Sequence, residues 1–438
     1  MKLIAKLKLG VVAFAAAALA LPAQAQTEIH WWHSMTGDLG QWVNDLADGF
    51  NASQKEYKVI PTYKGSYGDS MNATIAAFRA HKAPDIVQIF EVGTATMMAA
   101  KGAIKPVDEV MKIGGEKFDP KDYIPAVASY YSTPDGKMLS FPFNSSTAVF
   151  FYNKDAFKAA GLDPEKPPLT WPDVFADAAK LKAAGNKCPL TTSWMSWIQL
   201  ENFSTWHDVP FATLNNGFGG PAARLDFNGP VQLMHFTNLA RLAKEGEFVY
   251  RGRGNAADSA IISGECAMDM NSSSIYGALS KQAKFKFGVS TLPYYPDVPH
   301  APQNTIIGGA SLWVMNGKSN KVYKGVAEFF HYLSEPEVAA KSHQRTGYLP
   351  VTIAAYELTK KSGYYEQHPG SDVAVKQMIR KVTPATLGIR LGNANQIRTI
   401  INEETEQIWT GQKTPKEALD AAVKRGNEQL VTFQKSVE

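Results

Sequence analysis

Short apolar runs alternate with amphipathic ones along most of this chain. Residues 28–32 read as a buried strand, and Leu39, Val43, Leu46, Ala47 and Phe50 then recur at helical spacing. Residues 57–63 form a second extended run. Ser70 reads as the N-cap of a helix carrying Met71, Ile75 and Phe78 on one face. A third strand, residues 85–90, is entered through Ala83-Pro84. Strand, helix, strand, helix, strand predicts a parallel α/β sheet with right-handed crossovers.

The same alternation resumes further on. Residues 148–152 read as a strand, and Thr170-Trp171-Pro172-Asp173 opens a helix with a threonine cap and a proline in the first turn. Asn228 and Pro230 open another helix, running through Leu242. Residues 266–270 are a strand leading into Ser272-Ser273-Ser274, where a further helix starts. Residues 310–315 are a long apolar strand, and from Tyr323 onward the pattern is mainly helical. Extended crossings near residues 142–146 and 303–309 are where the chain is expected to pass between two lobes.

The start of the chain has a different pattern. Lys2, Lys6 and Lys8 precede an uncharged apolar stretch, residues 11–21, and Ala23-Gln24-Ala25 supplies small residues for cleavage. That arrangement predicts a secretory leader, residues 1–25, rather than a retained anchor, because the apolar stretch is short for a bilayer. Its removal lowers the 45 basic residues to 42 against 41 acidic ones, so a net charge of +4 becomes about +1. A near-neutral surface of mixed sign gives no support for nucleic-acid binding. What remains is longer than one core usually covers, which predicts two lobes. Cys188 and Cys266 lie in strand-like runs and leave two readings open, one disulfide or two buried thiols.

Signatures of bond-breaking chemistry are absent. Gly317-Lys318-Ser319 imitates the end of a phosphate loop, but Leu312 stands where its first glycine must be. Gly252 and Gly254 lack the third glycine of a dinucleotide fingerprint, and no Gly-x-Ser-x-Gly elbow exists. His30 and His33 fall on opposite faces of an extended segment, which is poor geometry for a shared metal. Polar and aromatic residues instead gather at strand ends, where open α/β sheets hold ligands. Tyr67 and Glu91 follow the second and third strands, Asn144-Ser145-Ser146 precedes the fourth, Ser272 precedes a helix N-terminus, and Gly308-Gly309 permits close backbone approach.

Residues 147–157 (Thr-Ala-Val-Phe-Phe-Tyr-Asn-Lys-Asp-Ala-Phe), Leu169-Thr170-Trp171-Pro172-Asp173, Gly264-Glu265-Cys266-Ala267-Met268 and Gly347-Tyr348-Leu349-Pro350-Val351 resemble segments of the extracellular solute-binding proteins of ABC importers. Trp32-His33-Ser34-Met35, Pro142-Phe143-Asn144-Ser145-Ser146, Trp197-Ile198-Gln199-Leu200-Glu201-Asn202-Phe203, Ile306-Ile307-Gly308-Gly309 and Arg390-Leu391-Gly392-Asn393 resemble the branch that takes glycerol phosphates. The likeness covers nearly everything after the leader.

That resemblance implies a two-lobed periplasmic-binding fold, each lobe a mainly parallel sheet flanked by helices, joined by hinge strands. One lobe would comprise 26–143 with 306–347, the other 144–305 with 348–438. It implies a monomer that closes on glycerol 3-phosphate or a glycerophosphodiester, docks to a membrane permease, uses no cofactor or metal and catalyses nothing. The implied site residues are Tyr67, Glu91, Ser146, Trp194, Trp197, Ser272, Gly309, Tyr348 and Arg398, with Arg398 preferred to Arg390 and Ser145 a neighbouring alternative to Ser146. Arg398 would fork onto phosphate, Glu91 would stand at the far end with the glycerol hydroxyls, and the tryptophans would cover the carbon skeleton. An oligosaccharide binder and an exported glycerophosphodiester hydrolase are the competing readings.

Overall fold

The computed structural model describes residues 26–380 and 383–438, so the expected leader lies outside the described residues. Ten strands build two sheets. The first is six-stranded and contains β1 (Thr27–His33), β2 (Tyr57–Tyr63), β3 (Ile86–Phe90), β4 (Ile104–Lys105), β5 (Phe141–Ser146) and, from far along the chain, β10 (Gly308–Met315). The second is four-stranded, in the order β7 (Cys188–Thr192), β8 (Cys266–Ser272), β6 (Ala148–Asn153), β9 (Phe287–Ser290). This is the two-lobed α/β architecture expected.

Strand sense is more mixed than the alternation predicts. β1 runs parallel to β2 and β3, and β7 parallel to β8. β10 is antiparallel to β3, β4 and β5, and β6 is antiparallel to both β8 and β9. The cause is connectivity: β10 enters the first sheet from the other half of the molecule, without the local helical crossover that enforces parallel pairing.

Those crossing segments pair with each other. Ser146 lies opposite Gly308, Ser145 opposite Gly309 and Asn144 opposite Ala310. One residue later the chain is in transit, and Thr147 is pinned by its hydroxyl, which donates to the Ile306 carbonyl at 2.8 Å. β6 then begins in the second sheet. The hinge region is thus a two-stranded contact at the base of the cleft.

Local departures have local causes. The helix Tyr67–Arg79 is capped by Ser66, not Ser70: the Ser66 hydroxyl accepts from the Asp69 N–H and the Asp69 carboxylate accepts from the Ser66 N–H. Ser70 is buried inside the helix. Cys188 and Cys266 sit opposite each other in the β7–β8 pair and form a disulfide, which closes the alternative left open by sequence. His30 faces out and His33 in, as their spacing requires. No described helix is long and apolar enough to cross a membrane.

Candidate ligand-binding site

β3 ends at Phe90 and turns directly into a 3-10 turn, Glu91–Gly93, which places Glu91 at the carboxyl edge of the first sheet. Beside it, the Ser66 cap starts its helix so that Tyr67 is the first helical residue. The Tyr67 ring stacks on Phe90, with centroids 5.2 Å apart and planes 10° from parallel. Its hydroxyl accepts from Asn144 Nδ2 at 2.9 Å; Asn144 Oδ1 accepts from Gln88 Nε2 at 2.9 Å, and Gln88 Oε1 from the Ser34 N–H at 2.8 Å. This chain of neutral dipoles fixes the phenol's orientation. Burial, with Tyr348 close by, pushes the Tyr67 pKa well up, so the hydroxyl keeps its proton.

The glycines of β10 are structurally required. Gly309 has φ +84°, and a Cβ there would run into the Asn144 carbonyl. A Cβ on Gly308 would strike the Trp197 indole, so the backbone of the first sheet lies directly against an aromatic ring from the other half. Across the ladder, Ser146 faces the cavity. Ser145 points the other way, its hydroxyl buried without a hydrogen-bond partner among the described residues. Strand alternation therefore separates two serines that the sequence leaves adjacent.

From the second sheet, β7 runs into Trp194, a non-glycine residue at φ 49° whose N–H donates to the Gly254 carbonyl at 2.7 Å. A π-helical turn, Trp197–Asn202, follows at once. Left-handed backbone and π-turns both cost stability, and both concentrate at functional sites. Ser272 ends β8 and caps the next turn, its hydroxyl 2.8 Å from Ser274 Oγ. Tyr348 is delivered by the turn at Gly347, and the following Leu349 N–H bonds the Ser145 carbonyl at 2.7 Å.

Arg398 lies one turn into the helix Ala394–Trp409, where the positive helix end disfavours a cation. Buried carboxylates compensate. Its Nε and Nη2 donate to the two oxygens of Glu201 at 2.7 and 2.6 Å, and Nη2 also lies 2.6 Å from Glu91. All three side chains are nearly inaccessible, at 12, 4 and 7 % for Arg398, Glu201 and Glu91. Burial alone would lower the Arg398 pKa, but Glu201 and Glu91 reverse it and hold the guanidinium above its ordinary value. Burial raises the Glu91 pKa, with Arg398 opposing.

This corrects two expectations. Glu91 is not remote from Arg398 but touches it, because a buried guanidinium without an anion is too costly to leave alone. Nor is the whole fork of Arg398 free for phosphate: Glu201 occupies one edge, and among the described residues only Nη1 is uncommitted.

Every residue designated from the sequence lines one cavity of about 50 Å³, joined by Phe90, Ser274 and Gly308. Arg390 is elsewhere, its guanidinium 4.2 Å over the Phe218 ring and bonded to the Ser129 carbonyl at 2.9 Å. Glu201 is the residue that sequence reasoning passed over. Its signal was a carboxylate within the otherwise apolar and amide run Trp197-Ile198-Gln199-Leu200-Glu201-Asn202-Phe203. Among the described residues no group of three or more His, Cys, Asp and Glu could hold a metal ion.

Residues 45–370 match the family described as bacterial extracellular solute-binding protein. The chain is 55 % identical over 416 residues to the sn-glycerol-3-phosphate-binding periplasmic protein UgpB of Yersinia pseudotuberculosis, covering 94 % of each. It is 54 % identical to the protein of the same name from an Escherichia coli strain (536), covering 96 % of each. Among solved structures, UgpB of Mycobacterium tuberculosis in complex with glycerophosphocholine superposes with a TM-score of 0.76 over 94 % of this chain and 100 % of that one, at 20 % identity. The GacH receptor of Streptomyces glaucescens, an acarbose binder, gives 0.77 over 94 and 100 % at 18 %, so fold likeness alone spans quite different ligands.

Proposed function

The chain belongs to the bacterial extracellular solute-binding proteins, and from that premise we propose that it captures sn-glycerol 3-phosphate or a glycerophosphodiester between its lobes in the periplasm and delivers it to the permease of an ABC importer. The observation that carries the reading is the single cavity in which Tyr67, Glu91 and Gly309 of the first sheet side meet Trp197 and Ser272 of the second. Neutral donors dominate its wall: the hydroxyls of Ser146, Ser272, Tyr67 and Tyr348, with Arg398 Nη1. Such a set accepts a phosphate ester without exposing a field of lysines. Trp194 and Trp197 would cover the carbon skeleton or a quaternary ammonium.

The cavity is small, so ligand entry needs the halves to part about the β5–β10 contact. Each half holds part of the site, and a ligand touching both favours the shut state by its extra contacts. We take the lobes as 26–143 with 306–347 and 144–305 with 348–438, the first changeover falling inside β5, whose last residues still pair with β10. The protein acts as a monomer and returns its ligand unchanged.

Calorimetric titration with glycerol 3-phosphate, glycerophosphocholine, glycerol, inorganic phosphate and maltose tests this. Micromolar or tighter binding of a phosphate ester, about −8 kcal/mol, is expected, with none of glycerol or maltose. Maltose binding in place of the esters would overturn the reading. Choline release from glycerophosphocholine would make the protein an enzyme.

A further inference from the structure

The ion cluster behind the cavity wall has an odd number of charges. One guanidinium faces two carboxylates, all three nearly sealed from water. Glu201 reaches this cluster from the π-turn that also carries Trp197, whereas Glu91 arrives from the end of the first sheet and Arg398 from the helix Ala394–Trp409, which packs on the Glu91 turn. The other groups facing it are the phenols of Tyr67, Tyr130, Tyr131 and Tyr348, all pushed up by burial and all keeping their protons. The Tyr130 hydroxyl is spent on the Ile389 carbonyl at 2.6 Å, and Arg390 stands behind it, 5.6 Å from its ring. Among the described residues, Arg398 is the one cation paired with either carboxylate.

We propose that Glu201 is a positioning residue that sets ligand specificity: it holds the Nε–Nη2 edge of Arg398, leaves one nitrogen for the ligand phosphate, and keeps the site one negative charge in surplus, so that singly charged phosphate esters are preferred to doubly charged ones. This rests on the function proposed above and concerns which member of the ligand class the site favours. The argument is electrostatic. In a dry site a surplus carboxylate within a few ångströms of an incoming phosphate weighs far more than it would in water. A glycerophosphodiester carries one phosphate charge at any ordinary pH. A monoester carries nearly two above its second pKa, about 6, and must then bring a proton or find one. Burial raises the Glu91 pKa, so Glu91 is the member of the cluster that takes up a proton more readily as the pH falls, which relieves the surplus and lets the doubly charged ester in.

Titration of the mature protein with glycerol 3-phosphate and with glycerophosphocholine at pH 5.5, 6.5 and 7.5 tests this. For the unmodified protein, monoester affinity should fall by up to about tenfold per pH unit above pH 6, while diester affinity changes by less than about twofold. Glu201→Gln keeps the shape and one acceptor. It should flatten the monoester pH profile and move the diester-to-monoester ratio at pH 7.5 by about tenfold toward the monoester. Monoester affinity that is flat with pH overturns the proposal without need of any variant. So does a Glu201→Gln protein that weakens both ligands by one factor and retains the slope, since that is packing alone. Failure of the unmodified protein to bind either ester would instead overturn the proposed function beneath it.

Discussion

Arg398 and Glu201 form a bidentate ion pair, 2.7 and 2.6 Å, although 197 residues of sequence separate them and both are buried. Its first consequence is for mutagenesis. Arg398→Ala does more than remove a phosphate contact; it leaves Glu91 and Glu201 buried without a cation. Breaking a buried pair on one side costs about 3–5 kcal/mol. The expected outcome in urea unfolding is a loss of that size, largely restored in the triple variant Arg398→Ala, Glu91→Gln, Glu201→Gln. A single variant as stable as the parent would mean that the two carboxylates take up protons at no cost.

Gly309 is a second sensitive point. At φ +84° an L-residue is strained, and the Asn144 carbonyl occupies the space its Cβ needs. Gly309→Ala should destabilise by about 1–3 kcal/mol and weaken ester binding, because the Ser146–Gly308 register lines the cavity. Gly317→Ala is the control: φ is similar, +82°, but a Cβ there meets nothing within 4 Å. Equal losses for the two would assign the whole effect to backbone strain and none to the close approach.

These positions mark what a sequence makes legible. Two patterns locate the strands: β1 and the start of β2 bury alternate residues, while β3 and β10 are continuous runs buried on both faces; strand ends then nominate Tyr67, Glu91 and Gly309. Trp194 and Tyr348 have no such periodic signal; they came from the family likeness. Antiparallel insertion of β10 was invisible, since hydrophobic alternation is the same in either direction. The partnership of Arg398 with Glu91 and Glu201 was hidden for a different reason. Desolvation is a property of the assembled site, and neither residue's neighbours in the chain reveal that it will be sealed off from water.

The disulfide should support the second sheet. Cys188 and Cys266 are 78 residues apart in sequence, and closing so long a loop removes much freedom from the unfolded chain. The Cys188→Ala, Cys266→Ala protein should be less stable by about 2–5 kcal/mol. Ligand affinity should hardly change, because the bridge joins the β7–β8 pair at the ends farthest from Ser272 and Trp194. Denaturation with and without reductant checks the first part and calorimetry the second. An affinity loss without a stability loss would contradict both.

His343 gives the stability a pH dependence that can be isolated. Its ring is buried between the Tyr348 carbonyl, to which Nδ1–H donates, and the Tyr365 hydroxyl, 3.0 Å from Nε2, and burial lowers its pKa from 6.5 to about 4. A depressed histidine contributes stability that is complete above pH 6.5 and lost as pH falls toward 4, because over that window the unfolded chain binds a proton the folded one refuses. Raised carboxyls, Glu91, Asp258 and Asp269, act in the opposite sense, gaining stability as pH falls, so the raw profile mixes signs. The difference between parent and His343→Gln removes that mixture. Urea unfolding at pH 7 and pH 5 should show a drop smaller by about 2 kcal/mol in the variant. Identical drops would mean that His343 takes up its proton as readily in the fold as in the unfolded chain.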